Sequence, residues 1–441
     1  MRLLTDVAPL REHPAFRRLW LGNTLSRTGS AMTGYAVGLQ VFELTGSTAA
    51  VGGLGLAGFL PLVLIALPGG TLADRVDRRR LVVATTAGQA AVSAALLALT
   101  AAGRPSLWAL YALVAAGAGL SAVADPARQA LIPGLVPRER LAAAMAVNRA
   151  GFQFVLIAGP ALAGVITAGA GLSGCYLADL VSFAGGLWGV AQLPAQIAQA
   201  QPLEAQPPEA QPPEARPPEA VARPPKKRSG LAETRAGLAF IAGTSVLSGA
   251  FLADVNATFF ALPVSLFPAI NAERFHGDPL TLGLFSTAIG VGGLISAVFG
   301  GPLHHVSRYG LVMLGSVAAW GAAFAVFALA DSLWLTLLAL GLAGLADTCT
   351  VVIRGTIVQM VTPEEYRGRV NAADFLVGAG GSQLGSLESG LLGSLTTPVI
   401  SALSGGLLTV AGTVVIGLAL PGFRRYRAPG VLPAAQVHGA A

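Results

Sequence analysis

The sequence predicts an all-α membrane protein, with twelve transmembrane helices in two six-helix bundles. Three observations predict it. Of 441 residues, 54% are hydrophobic and 11% charged, against roughly 25% charged in an average soluble domain. Apolar runs separated by turn signals recur twelve times. A proline-rich tract divides the first six runs from the second six. With a mean hydropathy of +0.66, a soluble enzyme or cytosolic binding protein is excluded.

A bilayer core ~30 Å thick takes roughly 20 apolar residues as a helix. The first six candidates fall near 18–43, 49–72, 81–102, 107–134, 141–168 and 172–192. The second six fall near 244–270, 279–303, 310–330, 333–360, 367–393 and 398–420. Runs such as 109–123 and 405–420 are continuously apolar, unlike the alternating ten-residue strands of a membrane barrel. The 56 glycines suit closely packed helices.

Residues 1–17 lack the apolar stretch of a signal peptide and read as a cytoplasmic arm. Residues 18–192 form the N-terminal bundle and 230–420 the C-terminal bundle, with a cytoplasmic tail at 421–441. Between the bundles, 193–229 carries QPLEA, QPPEA, QPPEA and RPPEA, then Pro224, Pro225, Lys226, Lys227 and Arg228. That composition cannot bury a core and predicts a disordered or polyproline-like cytoplasmic linker. A motif for a proline-recognising partner is the alternative.

The halves repeat one another. Arg128, Pro137, Glu139 and Gly159 match Arg354, Pro363, Glu365 and Gly385 at a common offset of 226. Parallel repeats related by an axis along the membrane normal are a transporter architecture. With both termini inside, the outward connections fall near 44–48, 101–106, 169–171, 271–278, 331–332 and 394–397. Of the 28 basic residues, Arg104 and Arg274 lie in those connections and Arg27 and Arg149 within helices. The others lie on the inner side or at helix ends facing it. This positive-inside asymmetry implies the cell (inner) membrane, with both termini cytoplasmic. It accounts for the basic charge without a nucleic-acid partner.

The connection between the second and third helices, GGTLADRVDRRRL at 69–81, is the most informative. Its glycines permit a tight turn, and Asp74 can accept a hydrogen bond from Arg128 or face a helix N-terminus. Such a contact would hold the inner side closed and break as it opens. The plainer reading is that its arginines only satisfy the positive-inside rule. The run resembles the loop 2–3 signature of the major facilitator superfamily, with Asp77 where glycine is common and Arg79 where lysine is usual. The resemblance implies a conformational switch at Gly70, Asp74, Arg75, Asp77, Arg78 and Arg79, with Arg128. The counterpart at 300–308 is degenerate and lacks the acid.

The resemblance narrows with His13-Pro14-Ala15-Phe16-Arg17, the run 362–371 (TPEEYRGRVN), LTTPV at 395–399, and Asp254-Val255-Asn256-Ala257 with Leu266-Phe267-Pro268-Ala269. These are similar to the branch containing the enterobactin (siderophore) exporter and related drug-efflux proteins. In helix five, Gly159, Pro160 and Gly164 look like part of an antiporter signature, with Ala163 replacing one glycine. A packing kink without bearing on direction is the plain alternative.

Carboxylates at mid-bilayer cost about 2.5–3.5 kcal/mol on insertion scales and face water or a partner. The proton-coupling candidates are Asp254 and Glu388, then Asp179; a structural ion pair with Arg27 or Arg149 is the alternative. Asp374 lies nearer the inner end, and Asp125 and Asp347 suit local polar contacts. Tyr35, Gln40, Phe259 and Phe260, with Trp320 beside them, are candidate substrate-lining residues. Cys175 and Cys349 are far apart and the five histidines lack ligand spacing, so neither a disulfide nor a metal is indicated. No cofactor is implied, and no Walker lysine supports ATP hydrolysis. The expectation is therefore a monomeric, non-enzymatic secondary transporter in the lipid bilayer, exporting a siderophore or drug-like amphipathic molecule against an inward proton flow. An importer or facilitator of another small solute, or a non-transporting receptor on the same fold, remains open.

Overall fold

The computed structural model describes residues 6–73, 77–193, 230–299 and 306–427, and the side chains of these except 66–73, 230–236, 375, 376 and 379. Every regular element among them is helical. A short helix α1 (Ala8–Glu12) leads into α2 (Pro14–Thr45), α3 (Thr48–Ala73), α4 (Arg78–Ala101), α5 (Leu107–Leu131) and α6 (Arg138–Ala191). The second half holds α7 (Gly230–Gly243), α8 (Ser245–Phe260), α9 (Phe267–Arg274), α10 (Pro279–Phe299), α11 (Tyr309–Leu329), α12 (Leu333–Val361), α13 (Glu364–Leu395), α14 (Pro398–Ala419) and α15 (Pro421–Arg424).

Nine described stretches are long and apolar enough to cross a membrane. One of them, α6, has 54 residues, about 80 Å at 1.5 Å per residue, too long for a single crossing. Gly171, at φ 67° and ψ −173°, breaks it into two. Helices α2 and α13, 32 residues each, are long enough but more polar. With them the architecture is consistent with twelve crossings.

Three elements depart from the sequence expectation. The seventh run is not one helix over 244–270. Helix α8 stops at Phe260, a 3₁₀ turn covers Pro263–Leu266, and α9 restarts at Phe267. Pro263 and Pro268 cannot donate the backbone bonds that a continuous helix needs. The amino-terminal arm is ordered from residue 6: Arg140 holds Asp6 at 3.1 Å and Glu12 at 3.2 Å, and Phe16 is buried. The tail begins later than expected, since Phe423 is fully buried against the glycine faces of Gly249 and Gly310. Most of the expected linker, 194–229, lies outside the described residues.

Arginines gather at one end of the bundle. Arg78 and Arg79 donate to the carbonyls of Ala130 and Ala191, at the C-termini of α5 and α6, where a cation meets the negative end of the helix dipole. Arg308, Arg424, Arg425 and Arg427 ring a recess at the same end of the second half. We call this the basic end.

At the opposite end Asp278 caps α10. Its Oδ2 accepts from the Thr281 N–H at 2.9 Å and the Thr281 hydroxyl at 2.7 Å. Although burial pushes the carboxyl up, the hydrogen bonds from Thr281 and Leu280 outweigh it and hold it below its usual value. The cap is thus complete at neutral pH and is lost only as pH falls through that lowered value. Asp278→Ala is expected to destabilise the protein by about 1 kcal/mol, read as a lower Tm in detergent; an unchanged Tm would make the cap incidental.

Candidate functional site

A cavity of about 490 Å³ lies between the halves, walled by α2–α5, both segments of α6, the broken stretch at 263–268, α10 and α13. Irregular backbone at membrane depth is tolerated where it lines such a space, and Val264, Ser265, Phe267 and Pro268 all do.

Two helix crossings seal the cavity away from the basic end. Where α3 crosses α13, a Cβ on Gly52 would lie 2.8 Å from the Ser386 carbonyl and 3.2 Å from Gly390 Cα. Where α6 crosses α10, a Cβ on Gly164 would lie 2.9 Å from the Pro279 carbonyl and 3.4 Å from Gly283 Cα. Only glycine permits backbones this close. Hydrogen bonds cross the same seams: Thr48 to the Gly390 carbonyl (2.9 Å), Tyr35 to the Pro279 carbonyl (2.6 Å), Thr287 to the Ile157 carbonyl (3.3 Å) and Gln153 to the Gly290 carbonyl (2.8 Å). Among the described residues, no hydrogen bond or ion pair joins the halves nearer the basic end than Gln153–Gly290. The seams close the cavity at the end away from the arginines.

Asp179 stands in the cavity wall, 1% exposed. Its Oδ2 accepts from Ser93 at 2.5 Å and Thr33 at 2.7 Å, and its Oδ1 from Ser182 at 3.4 Å. Gly29 makes room for it, because a Cβ there would meet Ser182 Oγ and the Asp179 carboxylate. No cation pairs with it among the described residues. The sequence named Asp179 but not Thr33 or Ser93; lone hydroxyls in otherwise apolar runs were the available signal.

Two clusters of paired charge lie in the membrane, one per half. Asp125 holds Arg27 at 2.7 Å and lies 4.0 Å from Arg128, which also donates to Thr86 (2.9 Å) and Gln89 (3.2 Å). In the other half, Arg354 closes on Asp254 and lies 3.2 Å from Asp374. Asp254 is in an ion pair, the alternative to proton coupling, but its partner is Arg354 on α12 of the same half rather than Arg27 or Arg149. Arg149 is exposed and has no described ion pair. Glu388 is half-buried and lies outside the cavity wall, so geometry does not bring it to the site.

Of the expected lining residues, Tyr35 reaches the cavity. Gln40 does not: it turns into the N-terminal half, donating to Thr100 (2.8 Å) and accepting from Tyr176 (2.7 Å). Phe259 and Phe260 pack edge to face at 5.1 Å, outside the wall. Trp320 is buried against Phe324 in the C-terminal core. These groups pack within their own half, which removes them from the space between halves.

Gly159, Pro160 and Gly164 sit together at a crossing. A Cβ on Gly159 would press on Ala31 at 2.5 Å, Pro160 lines the cavity and Gly164 meets α10. In the switch loop, Asp77 caps α4 by accepting from the Arg80 N–H at 3.1 Å. Asp74 and Arg75 lie outside the described residues, and Gly70 is placed within α3. The described bonds of Asp77, Arg78, Arg79 and Arg128 all stay within the N-terminal half. Among the described residues no His/Cys/Asp/Glu group could hold a metal.

A family profile described as Transmembrane secretion effector matches residues 4–209 and 217–433. The Enterobactin exporter EntS of Citrobacter koseri is 30% identical over 435 residues, covering 98% of this chain and 97% of that protein. The EntS of Escherichia coli O81 is 29% identical, covering 96% of each. Among solved structures, a bacterial homologue of the iron transporter ferroportin in its inward-facing state is similar with TM-score 0.66 and 17% identity, over 93% of this chain and 98% of that one. Its outward-facing counterpart gives 0.57 at 18% identity, over 93% and 99%. Two six-helix halves around a central cavity, the 69–81 signature and a relative matched end to end agree: the chain is a membrane transporter of the major facilitator superfamily, belonging to its transmembrane secretion effector family and related to the enterobactin exporters.

Proposed function

We propose that this protein exports an amphipathic small molecule, a siderophore or drug-like compound, by proton-coupled alternating access in the inner membrane. The observation that carries the reading is the cavity between the halves, sealed away from the basic end by the α3–α13 and α6–α10 crossings. By the positive-inside rule the basic end is cytoplasmic, so the seal lies on the outer side, as an inward-facing state that loads from the cytosol requires. The bundles 18–192 and 230–420 act as the rocking bodies, with 193–229 as their cytoplasmic tether and the chain working as a monomer. The named function of the EntS relatives supports outward direction.

Asp179 is the favoured proton carrier over Asp254 and Glu388, because it alone of the three faces the cavity. Its partners are hydroxyls, which donate to a carboxylate and can rotate to accept from a carboxylic acid. Asp254 is instead committed to Arg354. Everted vesicles test the direction and coupling together. Substrate is expected to enter them only when their interior is acid. Uptake without a proton gradient would indicate a facilitator, and loss of substrate from preloaded vesicles an importer. No flux of siderophore or dye under any gradient would favour a receptor.

A further inference from the structure

We infer that the arginine-lined recess at the basic end of the second half binds the headgroup of an anionic phospholipid from the cytoplasmic leaflet, with an acyl chain lying along α11. The site is separate from the cavity, and it does not depend on what the cavity carries.

The recess measures about 470 Å³, and its described lining is Arg308, Leu311, Arg424, Arg425 and Arg427. No acid balances this charge from the elements that carry it. Neither 279–330 nor 389–441 contains an aspartate or a glutamate, so α10, α11, α14 and α15 bring no carboxylate to the recess. Among the described residues, none of the four arginines is in an ion pair. The first half is different at the same end: Arg78 and Arg79 are committed to helix C-termini. Arginine stems are apolar while their heads are charged, so with Leu311 the recess offers both kinds of surface. A phosphate joined to a hydrocarbon chain matches that combination.

The arginines are held in place. Phe423 is buried against Gly249 and Gly310, and the Arg424 and Arg425 N–H groups donate to the Leu420 and Pro421 carbonyls at 3.1 and 3.0 Å. Arg308 directly precedes α11, whose N-terminus no described side chain caps, so the positive end of its dipole adds to the arginine field. Helix α11 also supplies a path for the chain. Leu311, Gly315, Ala319 and Ala322 are exposed on one face, a strip that runs about 16 Å from the recess at 1.5 Å per residue. That is the depth of one leaflet of a ~30 Å core. A Cβ on Gly315 would meet nothing within 4 Å, so the strip is shallow and open. Beside it α14 exposes Val414, Val415 and Leu418, at the level where a Cβ on Gly417 would lie 3.2 Å from Leu314. A free phosphate would use the arginines and leave this strip idle; a phospholipid uses both.

Charge sets the order of preference among lipids. Four arginines exceed the single charge of one phosphodiester, so a lipid with two phosphodiesters fits better than a lipid with one. A zwitterionic lipid, which brings its own cation, fits least. Each arginine is worth roughly fivefold in affinity for an anionic headgroup. All five lining residues belong to the second half, so the bound lipid ties that bundle to the leaflet and does not bridge to the other.

Thermal unfolding of the detergent-purified full chain, titrated with lipid, tests this. Cardiolipin, with two phosphodiesters, should raise the Tm at the lowest concentration and phosphatidylglycerol at a higher one. Phosphatidylcholine and millimolar inorganic phosphate should do little. Arg308→Gln combined with Arg425→Gln should raise the half-saturating cardiolipin concentration roughly 25-fold, at about fivefold per arginine. Both arginines are exposed, so the variant should fold; if it does not, the wild-type series of lipids and phosphate decides. Arg17→Gln with Arg138→Gln removes the same charge from exposed positions of the first half and should leave cardiolipin binding nearly unchanged. An equal loss in both double variants would reduce the effect to general surface charge and overturn the site. Stabilisation by inorganic phosphate as strong as by cardiolipin would make the recess a soluble-anion site, and an equal response to phosphatidylcholine would make it part of the ordinary lipid belt. Either result, or no response to any probe, overturns the proposal and leaves the exporter reading untouched.

Discussion

Arg354→Met is expected to destabilise the protein by about 3–5 kcal/mol, the usual cost of removing one partner from a buried ion pair. Arg354 is 7% exposed and Asp254 4%, so solvent screens neither. The substitution strands Asp254 and also takes the cation from Asp374. Asp254→Asn combined with Arg354→Met should recover most of the loss, because replacing both charges of a buried pair is often nearly neutral. Thermal unfolding in detergent, with the yield of folded protein, checks both variants. A wild-type Tm for Arg354→Met would remove the pair from the fold's support. Arg128→Met serves as the comparison and should cost less. It leaves the neutral Thr86 and Gln89 behind, while its acidic neighbour Asp125 keeps Arg27 and is 44% exposed.

The contrast between Asp254 and Asp179 also shows how far the sequence could be read. Helix positions were legible because lipid demands long apolar runs, and the boundaries of α10, α11, α12 and α14 fall within a few residues of the expected ones. The 226-residue offset linked Arg128 to Arg354 before any contact was known, and both prove to be buried arginines on matching helices, each beside a carboxylate. Which carboxylate served which role was not legible. In water-soluble helices polarity marks the exposed face, but here both the lipid and the bundle interior are apolar, so sequence spacing alone does not orient a helix. Tyr35 and Gln40 sit on one helix five residues apart; one reaches the cavity and the other fills its own half. The break in the seventh run was legible in Pro263 and Pro268 and was obscured by the apolar residues around them. Helix α7 follows a tract with no packing signal; Phe240 reveals its place by stacking on Tyr366 at 4.5 Å.

Gly164→Leu and Gly52→Leu should each shift the protein out of its present sealed state and together nearly abolish it. Both glycines lie at seams that exist only while the end opposite the arginines is sealed. Even a single Cβ would come within 2.9 Å of a backbone carbonyl at either site, and backbone cannot rotate aside as a side chain can. Overpacking of this kind costs about 1–3 kcal/mol per site. If that cost falls on the sealed state alone, the population ratio changes roughly five- to 150-fold per substitution. A reporter can be placed without disturbing the wall. Gly38 lines the cavity and a Cβ there meets nothing within 4 Å, so Gly38→Cys should be tolerated. In a Cys349→Ala background, with Cys175 buried, a membrane-impermeant thiol reagent should label Gly38→Cys mainly from the basic end. Adding Gly164→Leu should raise labelling from the sealed end at least tenfold, lower it from the basic end and cut transport correspondingly. Equal labelling from both ends before and after the substitution would mean that these glycine seams do not form the gate.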